Sequence, residues 1–517
     1  MTDCLRVPLF ILAAVLVCLN ACGASTPPPV NLNAPLATNA AASVVAATNP
    51  PQTSTSSNQN SANTASSPTA QPPAATQSAG PISSPGGASA PTDYFGANSN
   101  GEIIYNEQAR ALATVAGVQM VRTSVSWNAI EENKGKYRWD YFDQESKTLL
   151  DNHFVPLLMI MHNPKWAANS DCGPVNDLPA FEQFIRTLAQ RYPQVQYWAL
   201  YNEPDNQGAP DNPGAQCFGG NDLNGNGKPD VEDYAEQLHI AWRAIHQANP
   251  NAQLVSGALA FDNFNEQTAP RGYPGGGKGG SFNYNFPQQL FQYMAAHPLP
   301  AGEKYLDILS FNFYFIYGPY WEQQAGGISI SAKANMLTKL MKDAGIQLPL
   351  LVSETGDDST RVGNDGQSEY AVKTFTRGLA SGITHMIWWT FQDFPDSAPP
   401  PSNTWKYGLV DQNLSPKPAY AAYQTASREL TEAVYQQPLS VKGGEGYLFT
   451  KNGSGKAVVW SASDVPVTVT FAGNALQVTD MYGATRTVTD GSTDDQDGTV
   501  GRIGIQIKSP VYIGVRG

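Results

Sequence analysis

Two glutamates in this chain stand where apolar runs stop. Tyr201-Asn202-Glu203-Pro204-Asp205 closes the run 195–200, and Ser353-Glu354-Thr355-Gly356 closes the run 348–352. A pair of carboxylates at the exits of two strands can divide acid and base labour. One holds a proton for a departing oxygen, and the other stays ionised to attack carbon or to position water. That division is what cleavage of a glycosidic bond requires. A single carboxylate at a strand end is more often a loop charge or a neighbour of a helix cap, so the pair counts only if the fold brings both members together.

The elements that must do so are legible as alternation. Eight apolar runs, at 94–98, 119–127, 155–162, 195–203, 253–260, 306–314, 348–354 and 384–391, are separated by amphipathic segments such as 106–116, 142–152, 180–192, 231–248 and 369–381. Continuous apolar strands alternating with helices imply parallel pairing with both sheet faces covered. Eight repeats over this length predict a closed (β/α)₈ barrel rather than an open doubly wound sheet. No G-x-G-x-x-G follows the first strand, which disfavours a dinucleotide site.

In such a barrel the reacting groups sit at the C-terminal ends of strands, and polar residues gather there. Glu203 ends strand four beside Asn202, an amide able to bond a sugar hydroxyl. Glu354 ends strand seven. Arg122 lies within strand two, an expensive place for a guanidinium unless it faces a carboxylate. Asn312 and Tyr314 end strand six, where the phenol can donate to Glu354. His162 ends strand three, as a sugar contact or as a core histidine. Trp388 and Trp389 lie near the end of strand eight as candidate floor for a sugar ring, although adjacent strand residues point to opposite faces, so at least one is packing.

These residues form a pattern that resembles clan A glycoside hydrolases over roughly 93–430, most closely family 39-like members and more weakly family 5. The resemblance is carried by Asn202-Glu203-Pro204, by Ser353-Glu354-Thr355-Gly356 and by Trp388-Trp389-Thr390. Tyr407-Gly408-Leu409-Val410 and Lys417-Pro418-Ala419-Tyr420 also look like the tail of such barrels. It implies that Glu203 is the general acid/base and Glu354 the nucleophile of a retaining double displacement, with carboxyls about 5 to 5.5 Å apart. It further implies a carbohydrate substrate, no cofactor for catalysis, Asn202 on the 2-hydroxyl, and Arg122 and Tyr314 supporting Glu354. A transglycosylase would share both glutamates. A catalytically silent surface glycan-binding protein would have no reason to keep a proton donor.

After strand four, Asp222-Leu223-Asn224-Gly225-Asn226-Gly227-Lys228-Pro229-Asp230-Val231-Glu232-Asp233 has calcium-loop spacing. Oxygen side chains stand at positions 1, 3, 5, 9 and 12 (Asp222, Asn224, Asn226, Asp230, Asp233), with Lys228 at the position that offers a backbone carbonyl and glycine at the sharp turn. The expectation is a structural Ca²⁺ of modest affinity. The alternative is a polar turn leading into a helix. A Gly-rich stretch at 271–280 reads as a loop at the cleft rim.

The remainder bounds the setting. The chain has 517 residues, a net charge of −13, 10 Trp and 23 Tyr. With no basic stretch, neither nucleic acid nor an anionic membrane surface is an expected partner. Arg6 followed by the apolar run 7–19 reads as a signal peptide over 1–21. Leu19-Asn20-Ala21-Cys22 resembles a lipobox, which would acylate Cys22 and anchor an exported protein at the membrane by lipid alone, the alternative being secretion. Residues 22–92, rich in Ser, Thr, Ala and Pro, read as a disordered linker. Cys172 and Cys217 follow strands three and four and are a candidate disulfide. From 436 to 517 the pattern becomes period-two alternation with Asn-Gly and Asp-Gly turns, so a small β-sandwich follows the barrel at 93–435.

Overall fold

The computed structural model describes residues 92–208, 216–260, 282–314, 321–322, 325–400 and 402–515. The signal-like segment, Cys22, the linker and the Gly-rich stretch 271–280 lie outside the described residues. Among the described residues no helix is long and apolar enough to cross a membrane.

Eight parallel strands form the first sheet: β1 Phe95–Asn98, β2 Met120–Ser126, β3 Val155–Met161, β4 Tyr197–Asn202, β5 Gln253–Ala258, β6 Leu309–Tyr314, β7 Leu350–Gly356 and β8 Ile383–Trp388. Neighbours pair in chain order, with β1 also pairing β8. The barrel closes between β5 and β6 through bridges Val255–Ile308 and Leu259–Phe311. Met120, Leu157, Met159, Ala199, Val255, Ile308, Leu351 and Ile387 fill its interior. On β1 the interior position is Gly96, where a Cβ would lie 2.3 Å from the Ile387 side chain, so only glycine fits the layer. The outward residues, among them Val121, Leu158, Leu200 and Val352, join the larger core beneath the helices.

Helices start where the sequence supplies caps. Asn106 accepts from the amides of Gln108 and Ala109, Asp177 from Ala180, and Asp358 from Thr360, each satisfying donors that the first turn leaves open.

Eight antiparallel strands follow, beginning with β9 at Val434: β9 Val434–Leu439, β10 Gly444–Lys451, β11 Ser454–Ser461, β12 Val467–Ala472, β13 Ala475–Asp480, β14 Thr485–Thr489, β15 Arg502–Ile507 and β16 Val511–Val515. Six build one sheet in the order β14-β13-β16-β11-β10-β9, and β12 pairs β15 in a second. Asn452 and Gly453, with φ of 52° and 74°, make the tight turn between β10 and β11. The alternation of β11 is used on both faces. Ala457 and Val459 enter the core shared by the two sheets, while Val458 and Trp460 join the core of the barrel.

This sheet is therefore packed against the barrel helices Ser359–Ala380 and Pro418–Leu430. Arg377 grips Glu445 through two bonds, Nε to Oε1 at 2.9 Å and Nη2 to Oε2 at 2.6 Å, and its guanidinium lies 5.4 Å from the Trp460 ring. Removing one partner of a shielded, bidentate pair strands the other charge, at a cost of about 3 kcal/mol. Glu445→Ala is expected to lower stability by that amount in calorimetry, and a melting curve equal to the parent's would show that the pair does not hold the interface.

Candidate active site

The carboxylate of Glu354 depends on a break in strand alternation. Along β7, Leu351 faces the barrel interior and Val352 the helices. Strict alternation would turn Glu354 outward with Val352. Instead the pairing slips: Phe311 opposes Val352, but Asn312 opposes Glu354, and on the other side the register with β8 shifts between Val352 and Thr355. Thr355 then takes the outward position, its hydroxyl 2.6 Å from the Tyr370 hydroxyl on the helix above. Ser353 is the extra residue of a bulge, a device that re-aims a side chain, and here it turns Glu354 inward.

Strand β4 breaks alternation just before its own glutamate. Leu200 and Tyr201 both join the outer core. Tyr201 reaches it through a φ of 63°, and Glu203 follows with φ 46°. Left-handed backbone at a residue other than glycine stores strain of order 1 kcal/mol and persists only where the surroundings enforce it. They do so here. The Tyr201 hydroxyl donates to Asn163 Oδ1 at 2.7 Å and accepts from Gln237 at 3.2 Å. The Tyr234 hydroxyl donates to the Leu200 carbonyl at 3.1 Å and accepts the Gly257 N–H at 2.7 Å. Gly257 has no Cβ to strike the Leu200 and Tyr201 carbonyl oxygens, which would lie 2.6 and 3.0 Å away.

With both glutamates turned in, Arg122 organises the floor. It is 1% exposed. Its Nη1 meets Glu354 Oε1 at 2.9 Å and Asn98 Oδ1 at 2.9 Å, and its Nη2 donates to Asn202 Oδ1 at 2.8 Å. Because Arg122 occupies the Asn202 oxygen, that amide presents its NH₂ as a donor. The Tyr314 hydroxyl donates to Glu354 Oε2 at 2.8 Å, and the Asn312 amide donates to Glu203 Oε1 at 3.0 Å. Asn312 and Tyr314 alternate on one face of β6, so one strand touches both carboxylates. Glu354 thus has a cation and a phenol on its oxygens, while the group that meets Glu203 from β6 is a neutral amide.

The other expected residues divide. Trp389 sits beside Tyr314, ring centroids 6.3 Å apart, in a cluster with Phe394, Trp405 and Tyr407. Trp388 points the other way, onto Tyr370 and Tyr423 of the outer helices. It is a packing residue, which corrects the expectation that it helps floor the site. His162, at the end of β3 with φ 59°, bonds neither glutamate. Burial holds its ring below the usual histidine pKa against the opposing pull of Asp171. Cys172 and Cys217 form a disulfide joining the loops after β3 and β4. Asn98 and Asn163 escape sequence reasoning because a strand-end asparagine has many uses. The one signal for Asn98 was its place at the exit of the first strand.

In 222–233, Gly227 takes the sharp-turn position with φ 82°, and its N–H points at both oxygens of Asp222, 3.2 Å from each. Among the described residues no three His, Cys, Asp or Glu side chains gather as a metal centre. Half of this loop's donors are amide and backbone oxygens, a set suited to hard cations such as Ca²⁺.

Neither a family model nor a curated protein sequence matches the chain. Solved structures do. A family 39 glycoside hydrolase from Bacteroides cellulosilyticus WH2 superposes with a TM-score of 0.58 at 18% identity, over 83% of this chain and 81% of that one. A family 39 β-xylosidase from Caulobacter crescentus gives 0.52 at 16%, over 84% and 98%. A family 30 endoxylanase from Clostridium papyrosolvens C71 gives 0.54 at 11%, also over 84% and 98%. The likeness is one of fold. It is the parallel eight-stranded barrel that this chain shares with them.

The buried Arg122–Glu354 pair can be tested without a substrate. Arg122→Met leaves Glu354 buried without its cation, at a cost of about 3–5 kcal/mol, and adding Glu354→Gln recovers much of that loss. Additive losses in a denaturant double-mutant cycle would show that the two side chains are not coupled.

Proposed function

We propose that the chain is a retaining glycoside hydrolase in which Glu354 is the nucleophile and Glu203 the general acid/base. The observation that supports this reading is the unequal surroundings of two inward-turned glutamates on one barrel floor. Arg122 Nη1 and the Tyr314 hydroxyl each meet one oxygen of Glu354, and both oxygens keep lone pairs for attack. Asn312 orients Glu203 without adding charge, which suits a group that must give a proton and take it back. Attack by Glu354 on the anomeric carbon proceeds as Glu203 protonates the leaving oxygen. Water, deprotonated by Glu203, then releases the sugar with its configuration retained. The Asn202 NH₂ is placed to bond a hydroxyl of the bound sugar. The fold neighbours named as glycoside hydrolases, a β-xylosidase and an endoxylanase among them, agree with this reading.

The same reading takes a carbohydrate as substrate and needs no cofactor for the chemistry. It also takes the chain as exported and tethered through lipid at Cys22, on the strength of Arg6, the apolar run and the residues before that cysteine.

Glu354→Ala is expected to lower kcat on an activated aryl glycoside by at least about 10⁴-fold. Azide then fills the vacated space, restores part of the rate and yields a glycosyl azide of inverted configuration. Activity unchanged in the variant would remove Glu354 from the mechanism. Rescue with the configuration retained would argue against its role as nucleophile.

A further inference from the structure

We propose that the loop 222–233 binds one Ca²⁺ and that the ion fixes the helix Asp230–Ala248, which holds the end of β4. The bland account makes the loop's acids helix caps. The structure does not use them so. The residue before the helix is Pro229, with no side-chain cap bond. Asp230 turns back into the loop, its Oδ1 accepting the Leu223 N–H at 2.7 Å. Asp233 is 7% exposed, and its Oδ1 faces the loop, accepting from the Asn226 amide at 2.8 Å. Its Oδ2 is buried with no hydrogen-bond partner. A carboxylate oxygen so placed is costly unless something positive meets it. Lys228 lies near enough to act on it through space but makes no bond to it, its ammonium pairing instead with Glu236 at 2.7 Å. That leaves the Lys228 backbone carbonyl for the loop, alongside the oxygens of Asp222, Asn224 and Asn226. With Asp233 they supply the all-oxygen set of a calcium loop, and Asp230 braces it.

The consequence lies one residue on. Tyr234 follows Asp233 directly, and its hydroxyl bridges the Leu200 carbonyl and the Gly257 N–H. Gln237, one turn further, reaches the Tyr201 hydroxyl. Ahead of the loop, Cys217 and Phe218 donate their N–H groups to the Asn206 and Pro204 carbonyls at 2.9 and 2.8 Å. A cation in the loop therefore ties together the two segments that hold Tyr201 to Asn206 in its irregular course.

The test is titration of the full chain with CaCl₂, with MgCl₂ as control, by calorimetry and thermal melting. The expected result is one site with a Kd on the order of 10⁻⁴ M and a rise in Tm of roughly 3 °C in excess Ca²⁺. Amide exchange should slow in 216–237. Exposed Asp222→Ala, which removes a ligand without touching the core, and buried Asp233→Asn are both expected to abolish the heat and the shift. Absence of heat and of any shift in the parent chain overturns the proposal, as does binding that survives in Asp222→Ala. None of these readouts depends on glycosidase activity.

Discussion

A guanidinium inside a barrel has to be answered on every side, and Arg122 is the point from which the rest of this site takes its shape. From β2 it reaches Asn98 on β1, Asn202 on β4 and Glu354 on β7. Burying such a charge costs more than a well-packed apolar residue would, so the pair is poor evidence for a stabilising device. What it does is orient. It neutralises Glu354, fixes which end of the Asn202 amide faces the cleft, and leaves Glu203, the next residue, outside the ion pair.

Much of this was legible in the residues. Eight apolar runs announce a barrel because each must be covered on both faces. An arginine in a strand points to a carboxylate because nothing else repays its burial. Asn312 and Tyr314 could be placed together by period two alone. What period two could not show is where it fails. Read without the bulge at Ser353, β7 turns Glu354 toward the helices. Read without the left-handed turn at Tyr201, β4 sends that ring into the barrel. Both irregularities are held by partners in the following helix, Tyr370 opposite Thr355 and Tyr234 opposite Leu200, 15 and 34 residues on, which leave no mark on the strand's own sequence. Trp388 and Trp389 illustrate the same limit. Adjacency said that one must pack and one could line the site, and only the fold says that Trp388 is the one that packs.

The outer parts of the molecule act on the site through this scaffold. The disulfide joins the loops after β3 and β4, and the helix Asp230–Ala248 clamps the end of β4 from outside. The central strands β10, β11 and β16 of the six-stranded sheet turn one face to the sheet's own core and the other to the barrel helices, with Trp460 and Arg377 at the junction. Alternation is used by packing on both sides along β10, β11 and β16, whereas Gln477, Thr487 and Thr489 leave the second face of β13 and β14 exposed.

A nucleophilic Glu354 must bond covalently to the sugar in every turnover. The direct measurement is mass spectrometry of the protein after exposure to a panel of activated 2-deoxy-2-fluoroglycosides, whose glycosyl-enzymes hydrolyse slowly. The expected result is a mass increase of one glycosyl unit, mapped by peptide sequencing to Glu354. An adduct on another residue, or turnover of natural configuration to the inverted anomer with no adduct, would contradict it.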